Sequence, residues 1–201
     1  MYTRNSVLSI IAGIFLTAGC PLLVFAQPVL IYGGDFDIPI PAESDSTKGW
    51  MKAAVIDVKD HYIIYDLDVV ISLEHTKVFD LQLFLQSPAG TGICLNQYNL
   101  SEYFDGEDYA QTIFDDQADT PIEQAHAPFT GRFRPKAGNF LSDFNGQDTF
   151  GLWQLQVYDA FYDHTGVLNR FELVVTVPEP ATVFFLTPGL IFLFLFRRRR
   201  F

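Results

Sequence analysis

The chain has 201 residues, 49% of them hydrophobic, with 20 Phe and 9 Tyr, so it can bury one substantial core and is too apolar to be a disordered chain. Setting aside Arg4 near the start and Arg197, Arg198, Arg199 and Arg200 at the end, 8 basic residues face 24 acidic ones between Asp35 and Glu179, about 16 net negative charges on the central region. Such a surface repels phosphate backbones and excludes nucleic acid, while it is compatible with cations and basic partners.

In chain order, Arg4 supplies a positive n-region, Val7 to Leu16 an apolar h-region, and Val24-Phe25-Ala26 the small residues that signal peptidase reads. This predicts a signal peptide over residues 1–26, cleaved after Ala26, and export. Leu16-Thr17-Ala18-Gly19-Cys20 resembles a bacterial lipobox and offers lipidation of Cys20 as the alternative, disfavoured by Pro21 and the apolar run behind it. Without Cys20 the only cysteine is Cys94, which leaves no intramolecular disulfide and a fold held by its core. Flanked by Ile93 and Leu95, Cys94 reads as a buried small apolar residue rather than a nucleophile. Residues 27–36 read as a linker.

The middle of the chain alternates with a period of two. Leu67, Val69, Ile71 and Leu73 lie between Asp66, Asp68, Val70, Ser72 and Glu74; Leu81, Leu83 and Leu85 alternate with Gln82, Phe84 and Gln86; Trp153, Leu155 and Val157 alternate with Gln154, Gln156 and Tyr158. A last strand runs from Leu168 to Val175. Ser87-Pro88-Ala89-Gly90, Asn145-Gly146 and His164-Thr165-Gly166 are turn signals between such runs, and nothing of useful length has a helical period. The pattern predicts an all-β, jelly-roll-like antiparallel β-sandwich over residues 37–176.

His75-Thr76-Lys77-Val78-Phe79-Asp80-Leu81, continuing to Leu85-Gln86-Ser87-Pro88-Ala89-Gly90-Thr91, resembles the signature strand pair of the P, or Homo B, domain of proprotein convertases. Gly151-Leu152-Trp153-Gln154-Leu155-Gln156-Val157-Tyr158-Asp159, then Gly166-Val167-Leu168-Asn169 and Phe171-Glu172-Leu173, resemble its closing strands, and Ile38-Pro39 marks where the domain begins. Phe79 departs from the glycine usual before the Asp-Leu pair, which bears on the local turn and not on the fold. The family motif residues are thus His75, Thr76, Asp80, Gly151, Trp153 and Asp159. The resemblance implies a galactose-binding-like jelly roll and a family link to subtilisin-like serine endopeptidases and proteolysis.

The tail over residues 177–201 places Pro178-Glu179-Pro180 before the apolar run 183–196 and the basic residues 197–200. Fourteen helical residues rise roughly 21 Å against a hydrocarbon thickness of roughly 30 Å, so a single transmembrane helix here would borrow length from its flanks. The arginines would hold that end in the cytoplasm. The order resembles the PEP-CTERM sorting signal of exported proteins in Gram-negative bacteria, and it implies recognition by an exosortase, surface sorting in the cell envelope, and a link to extracellular polysaccharide. A plain tail anchor has the same topology without processing.

No catalytic residue is assigned. A subtilisin-like unit needs Asp, His and Ser held by a large α/β scaffold, whereas the central residues read as strands, and His61, His75, His126 and His164 have neither a nucleophile elbow nor metal-ligand spacing. His75 is read as a strand-end residue fixing the turn to Asp80, and Asp80 and Asp159 as short carboxylates setting turns. Asp115, Asp116 and Asp119 crowd one loop, and Asp143 and Asp148 flank Asn145-Gly146. Hard oxygens in flexible segments suit Ca²⁺, with Asp115, Asp116 and Asp119 as first ligands, beside the alternative of a solvated loop. Tyr98, Tyr103, Phe104, Tyr109, Phe161 and Tyr162 could make a carbohydrate- or protein-binding surface, or else cover a sheet. Three functions remain: a surface-displayed interaction or structural module, a stabilising or regulatory partner of a separate subtilisin-like protease, and a small hydrolase, which the missing triad disfavours.

Overall fold

The computed structural model describes residues 6–7, 27–42, 48–97 and 106–178. The leading segment before residue 27 (apart from 6–7), with Cys20, the aromatics Tyr98, Tyr103 and Phe104, and the tail from Glu179 on, with its apolar run and arginines, lie outside the described residues. Among the described residues no helix is long and apolar enough to cross a membrane.

The described chain is a sandwich of two sheets. Strands β1 (Ser6–Val7), β2 (Val29–Ile40), β5 (Asp66–His75), β8 (Tyr109–Phe114), β9 (Phe129–Phe133) and β11 (Gly166–Thr176) form a six-stranded sheet in the order β1-β2-β11-β5-β8-β9. The second sheet has five strands: β3 (Gly49–Trp50) and β4 (Ala54–Val58) share one edge of β10 (Gly151–Asp159), and β6 (Leu81–Gln86) and β7 (Gly92–Asn96) follow on its other side. The described ladders are antiparallel except for β8 and β9, which run parallel. The three helical turns, Val78–Asp80, Ile122–Gln124 and Leu141–Phe144, are short 3₁₀ segments.

The alternating runs bury the faces they predict. Leu67, Val69, Ile71 and Leu73 from one sheet meet Leu81, Leu83, Leu85, Trp153, Leu155 and Val157 from the other, all sealed from solvent. Strand pleating sends successive side chains to opposite faces, so each run supplies one half of a shared core. Trp153 packs edge-on against Phe144, ring centroids 5.3 Å apart, and its indole N–H donates to the Thr149 carbonyl at 2.9 Å. The ring is buried without leaving its donor unsatisfied.

Residues 27–36 are not a linker: from Val29 on they supply most of β2, paired along β11. The alternation is hidden there by Gly33 and Gly34 and by a register shift opposite Asn169. Gly33 has φ +118°, and a Cβ there would stand 2.2 Å from the Phe171 carbonyl oxygen, so the strand needs a residue without one. The same bulge lets Leu168 and Phe171, three residues apart, both face the core.

The two outer faces differ in chemistry. That of the six-stranded sheet carries charges, including the Arg170 pairs with Asp35 at 3.0 Å and Glu172 at 2.7 Å. On β6 and β10 the five-stranded sheet turns Gln82, Phe84, Gln86, Gln154, Gln156 and Tyr158 outward, opposite the buried leucines, Trp153 and Val157.

Candidate functional site

Family-motif residues meet at one end of the sandwich. His75 ends β5, Asp80 closes the 3₁₀ turn that leads into β6, Asp159 ends β10, and His164 lies in the loop to β11. The strand ends bring these distant residues together, and the contacts form two pairs. His75 Nε2 lies 3.3 Å from Asp159 Oδ2 with both side chains fully buried, and His164 Nδ1 lies 2.7 Å from Asp80 Oδ2. Backbone groups take the remaining valences: the Lys77 N–H donates to His75 Nδ1 at 3.1 Å, the Phe161 N–H to Asp159 Oδ1 at 3.1 Å, and the Ala160 N–H to the Asp80 carbonyl at 3.0 Å.

Burial raises the Asp80 carboxyl above its ordinary value, with His164 pulling the other way and nearby Asp159 adding to the rise. Asp108, which the sequence did not single out, reaches in at φ +67° and accepts the His75 N–H at 2.9 Å. Gly166 closes the knot from β11, where a Cβ would meet the Glu74 carbonyl at 2.2 Å and His75 Cδ2 at 2.6 Å. Thr76, beside His75, is exposed and donates its N–H to the Thr165 carbonyl at 3.4 Å. Gly151 opens β10 at φ +120°, where a Cβ would stand 2.7 Å from the Pro88 ring.

These histidines and carboxylates bond one another and the backbone, and among the described residues neither ring contacts a hydroxyl or thiol that it could activate. The knot joins both sheets, and no side chain among the described residues completes a nucleophile–base–orienter arrangement around it. His61 is exposed, paired with Asp148 at 2.8 Å and stacked on Phe150, and His126 is exposed on a loop.

The calcium candidates are adjacent in sequence, but the fold sends their carboxylates to different partners. Asp115 bonds Arg132, which also reaches Asp68 at 2.8 Å, and accepts the Gln117 N–H at 2.7 Å. Asp116 accepts the N–H groups of Leu141 and Ser142 at 2.9 and 2.8 Å, satisfying free donors of the Leu141–Phe144 turn. Asp119 is exposed. Among the described residues no three His, Cys, Asp or Glu side chains gather as a metal ion requires.

Of the proposed aromatic surface, Tyr109 is buried, and its hydroxyl accepts from Asn96 Nδ2 at 2.6 Å. Phe161 and Tyr162 are exposed in the loop after β10, Tyr162 beneath the Lys48 ammonium. A different aromatic group stands on the five-stranded sheet, unsignalled because its members are far apart in sequence. Trp50 on β3 lies 4.9 Å from Tyr158 and 6.0 Å from Phe84, measured between ring centroids. A cleft of about 450 Å³ opens beside it, lined among others by Trp50, Phe84, Gln86, Cys94, Asn139 and Gln156. Cys94 is only half-buried, contrary to expectation, and desolvation pushes its thiol up to about 11, which keeps it protonated near neutrality.

Fold and site together define an all-β sandwich domain with one end tied by polar pairs and one sheet face that carries an aromatic and amide surface. The model of the family described as "Proprotein convertase P-domain" matches residues 64–175, more than half of the chain. The chain belongs to that family, a non-catalytic, protease-associated domain. Among solved structures it is similar to a chain in the Aeromonas sobria serine protease–chaperone complex, with 15% identity, TM-score 0.40, and coverage of 90% of this chain and 27% of that one. It is also similar to the serine protease of Aeromonas sobria, with 17% identity, TM-score 0.43, and coverage of 76% of this chain and 28% of that one. The chain therefore spans about a quarter of the length of these solved chains. No curated protein matches it.

Proposed function

We propose that this P-domain chain is an exported, surface-sorted module that works by binding rather than by catalysis, and that the outer face of its five-stranded sheet is its contact surface. The observation that carries the reading is a contrast. Buried His75, Asp80 and Asp159 and the half-buried His164 pair with one another, whereas Trp50, Phe84 and Tyr158 stand together on an outer face with no sheet against it among the described residues. The leading segment and the Pro178-Glu179-Pro180 tail support export and recognition by an exosortase-type enzyme.

Purified full-length chain should hydrolyse neither casein nor simple esters, and a tagged copy should fractionate with the cell envelope. Hydrolysis that copurifies with the chain and vanishes in His164→Asn would overturn the reading. A second reading, a stabilising partner of a separate subtilisin-like protease, is supported by family membership alone. It requires such a protease to copurify with the chain and to resist unfolding better in its presence.

A further inference from the structure

We propose that the cleft beside Trp50 binds a neutral polysaccharide as a single soluble chain; the inference rests on reading the protein as a binding module. The surface is built from cross-strand rows. Trp50 pairs with Tyr158, and Tyr158 with Gln82; Gln156 pairs with Phe84, and Phe84 with Cys94; Gln154 pairs with Gln86. Side chains in a row stand about 4.8 Å apart, one strand spacing. Aromatic carbon thus stands beside carboxamide over the scale of a sugar ring. Trp50 and Phe84 offer faces and edges to the C–H side of a pyranose. Each glutamine carries both donors and an acceptor, as vicinal hydroxyls require, while Asn139 at the cleft wall is held in place, its Oδ1 accepting the Cys94 N–H at 2.9 Å and its Nδ2 donating to the Lys136 carbonyl at 3.3 Å. Gln147, by contrast, has its amide bonded to Ser87, Thr91 and the Asp143 carbonyl; among the described residues no such partner engages Gln82, Gln86, Gln154 or Gln156.

Charge selects the ligand class. No side chain lining the cleft is ionised near neutrality, although the chain as a whole carries a formal charge of −11. A cationic peptide would find no carboxylate in the cleft, and an anionic glycan would meet no cation there and the repulsion of the whole chain. Ring tilt narrows the choice further. The rings of Trp50 and Tyr158 are inclined by 51°, and those of Trp50 and Phe84 by 46°, so the three cannot lie flat on a crystalline sugar surface. They make a bent wall suited to one curved chain. The volume of about 450 Å³ falls within the range of small-ligand sites, enough for a short stretch of sugar units.

The chain has 2 tryptophans, Trp153 sealed in the core and Trp50 half exposed, so a ligand stacking on the cleft is read directly in Trp50 emission. Full-length protein should be titrated with soluble cello-, laminari-, manno- and galacto-oligosaccharides, with oligogalacturonate as the anionic counterpart. We expect at least one neutral series to shift the emission and to bind in calorimetry, with no binding of oligogalacturonate. Trp50→Ala should weaken binding about tenfold or more, Gln156→Ala should weaken it measurably, and both variants should unfold at the wild-type midpoint. The proposal is overturned if no neutral series binds, or if binding survives in Trp50→Ala. Docking of a protein or a second copy on this face without any sugar also overturns it, while leaving the binding-module reading intact; intrinsic hydrolase activity would remove that reading instead.

Discussion

Replacing Asp159 with alanine tests whether the buried polar knot holds the two sheets together. Its carboxylate serves two groups: His75 Nε2 at 3.3 Å, with the His75 and Asp159 side chains both fully buried, and the part-buried N–H of Phe161 at 3.1 Å. Alanine removes this acceptor from both. Losing the buried His75 bond costs about 1–3 kcal/mol, and losing the part-buried bond to the Phe161 N–H adds about 0.5–1.5 kcal/mol. Against a domain stability of about 5–15 kcal/mol, that removes a large share. Urea unfolding of the purified chain, followed by Trp153 fluorescence and far-ultraviolet circular dichroism, should show a lower midpoint at unchanged slope. Asp159→Asn keeps an acceptor for the Phe161 N–H and should cost less. In a double-mutant cycle with His75→Leu, the two losses should be non-additive by about 0.5–3 kcal/mol. A loss below about 1 kcal/mol for Asp159→Ala, or strict additivity, would refute the view that the knot is a stabilising tie.

Gly166→Ala should destabilise by several kcal/mol, comparable to an overpacked core, because the added methyl meets backbone oxygen and the His75 ring; an unchanged urea midpoint would contradict this. Burial and the neighbouring Asp115 and Asp66 raise the Asp68 carboxyl from 3.8 to about 6 even with Arg132 in contact. Between those values the folded chain keeps a proton that the unfolded chain has released, so stability falls as pH rises from about 4 to 6 and levels off above. Asp68→Asn should flatten that slope in thermal unfolding, and an unaltered slope would disprove the assignment. Calcium and chelator should give the same unfolding midpoint, since Asp115 and Asp116 are already bonded to Arg132 and backbone amides. A calcium-dependent gain lost in Asp115→Ala or Asp116→Ala would restore the loop as a metal site.

Four strands were legible in the sequence because each buries one face only. Hydrophobic alternation in β5, β6 and β10 states which residues go inward, and the family motifs at His75–Asp80 and Gly151–Asp159 coincide with the family match. What fails to alternate was hidden: β2 carries Gly33 and Gly34, and β8 carries Gln111 at φ +54° next to a register shift against β5. The parallel pairing of β8 with β9 leaves no short-range mark, since the partners are joined through a loop and not a tight turn. Composition, charge, the alternating faces and the two terminal segments are therefore properties of the sequence alone. Which carboxylate meets which cation was decided only by the tertiary structure. Three neighbouring aspartates in a loop look like one ligand set until the strands send Asp115 to Arg132 and Asp116 to the amides of Leu141 and Ser142. The cleft has the same origin: Trp50, Phe84 and Tyr158 come from three strands far apart in the chain, and only the pairing of β3, β6 and β10 sets them side by side.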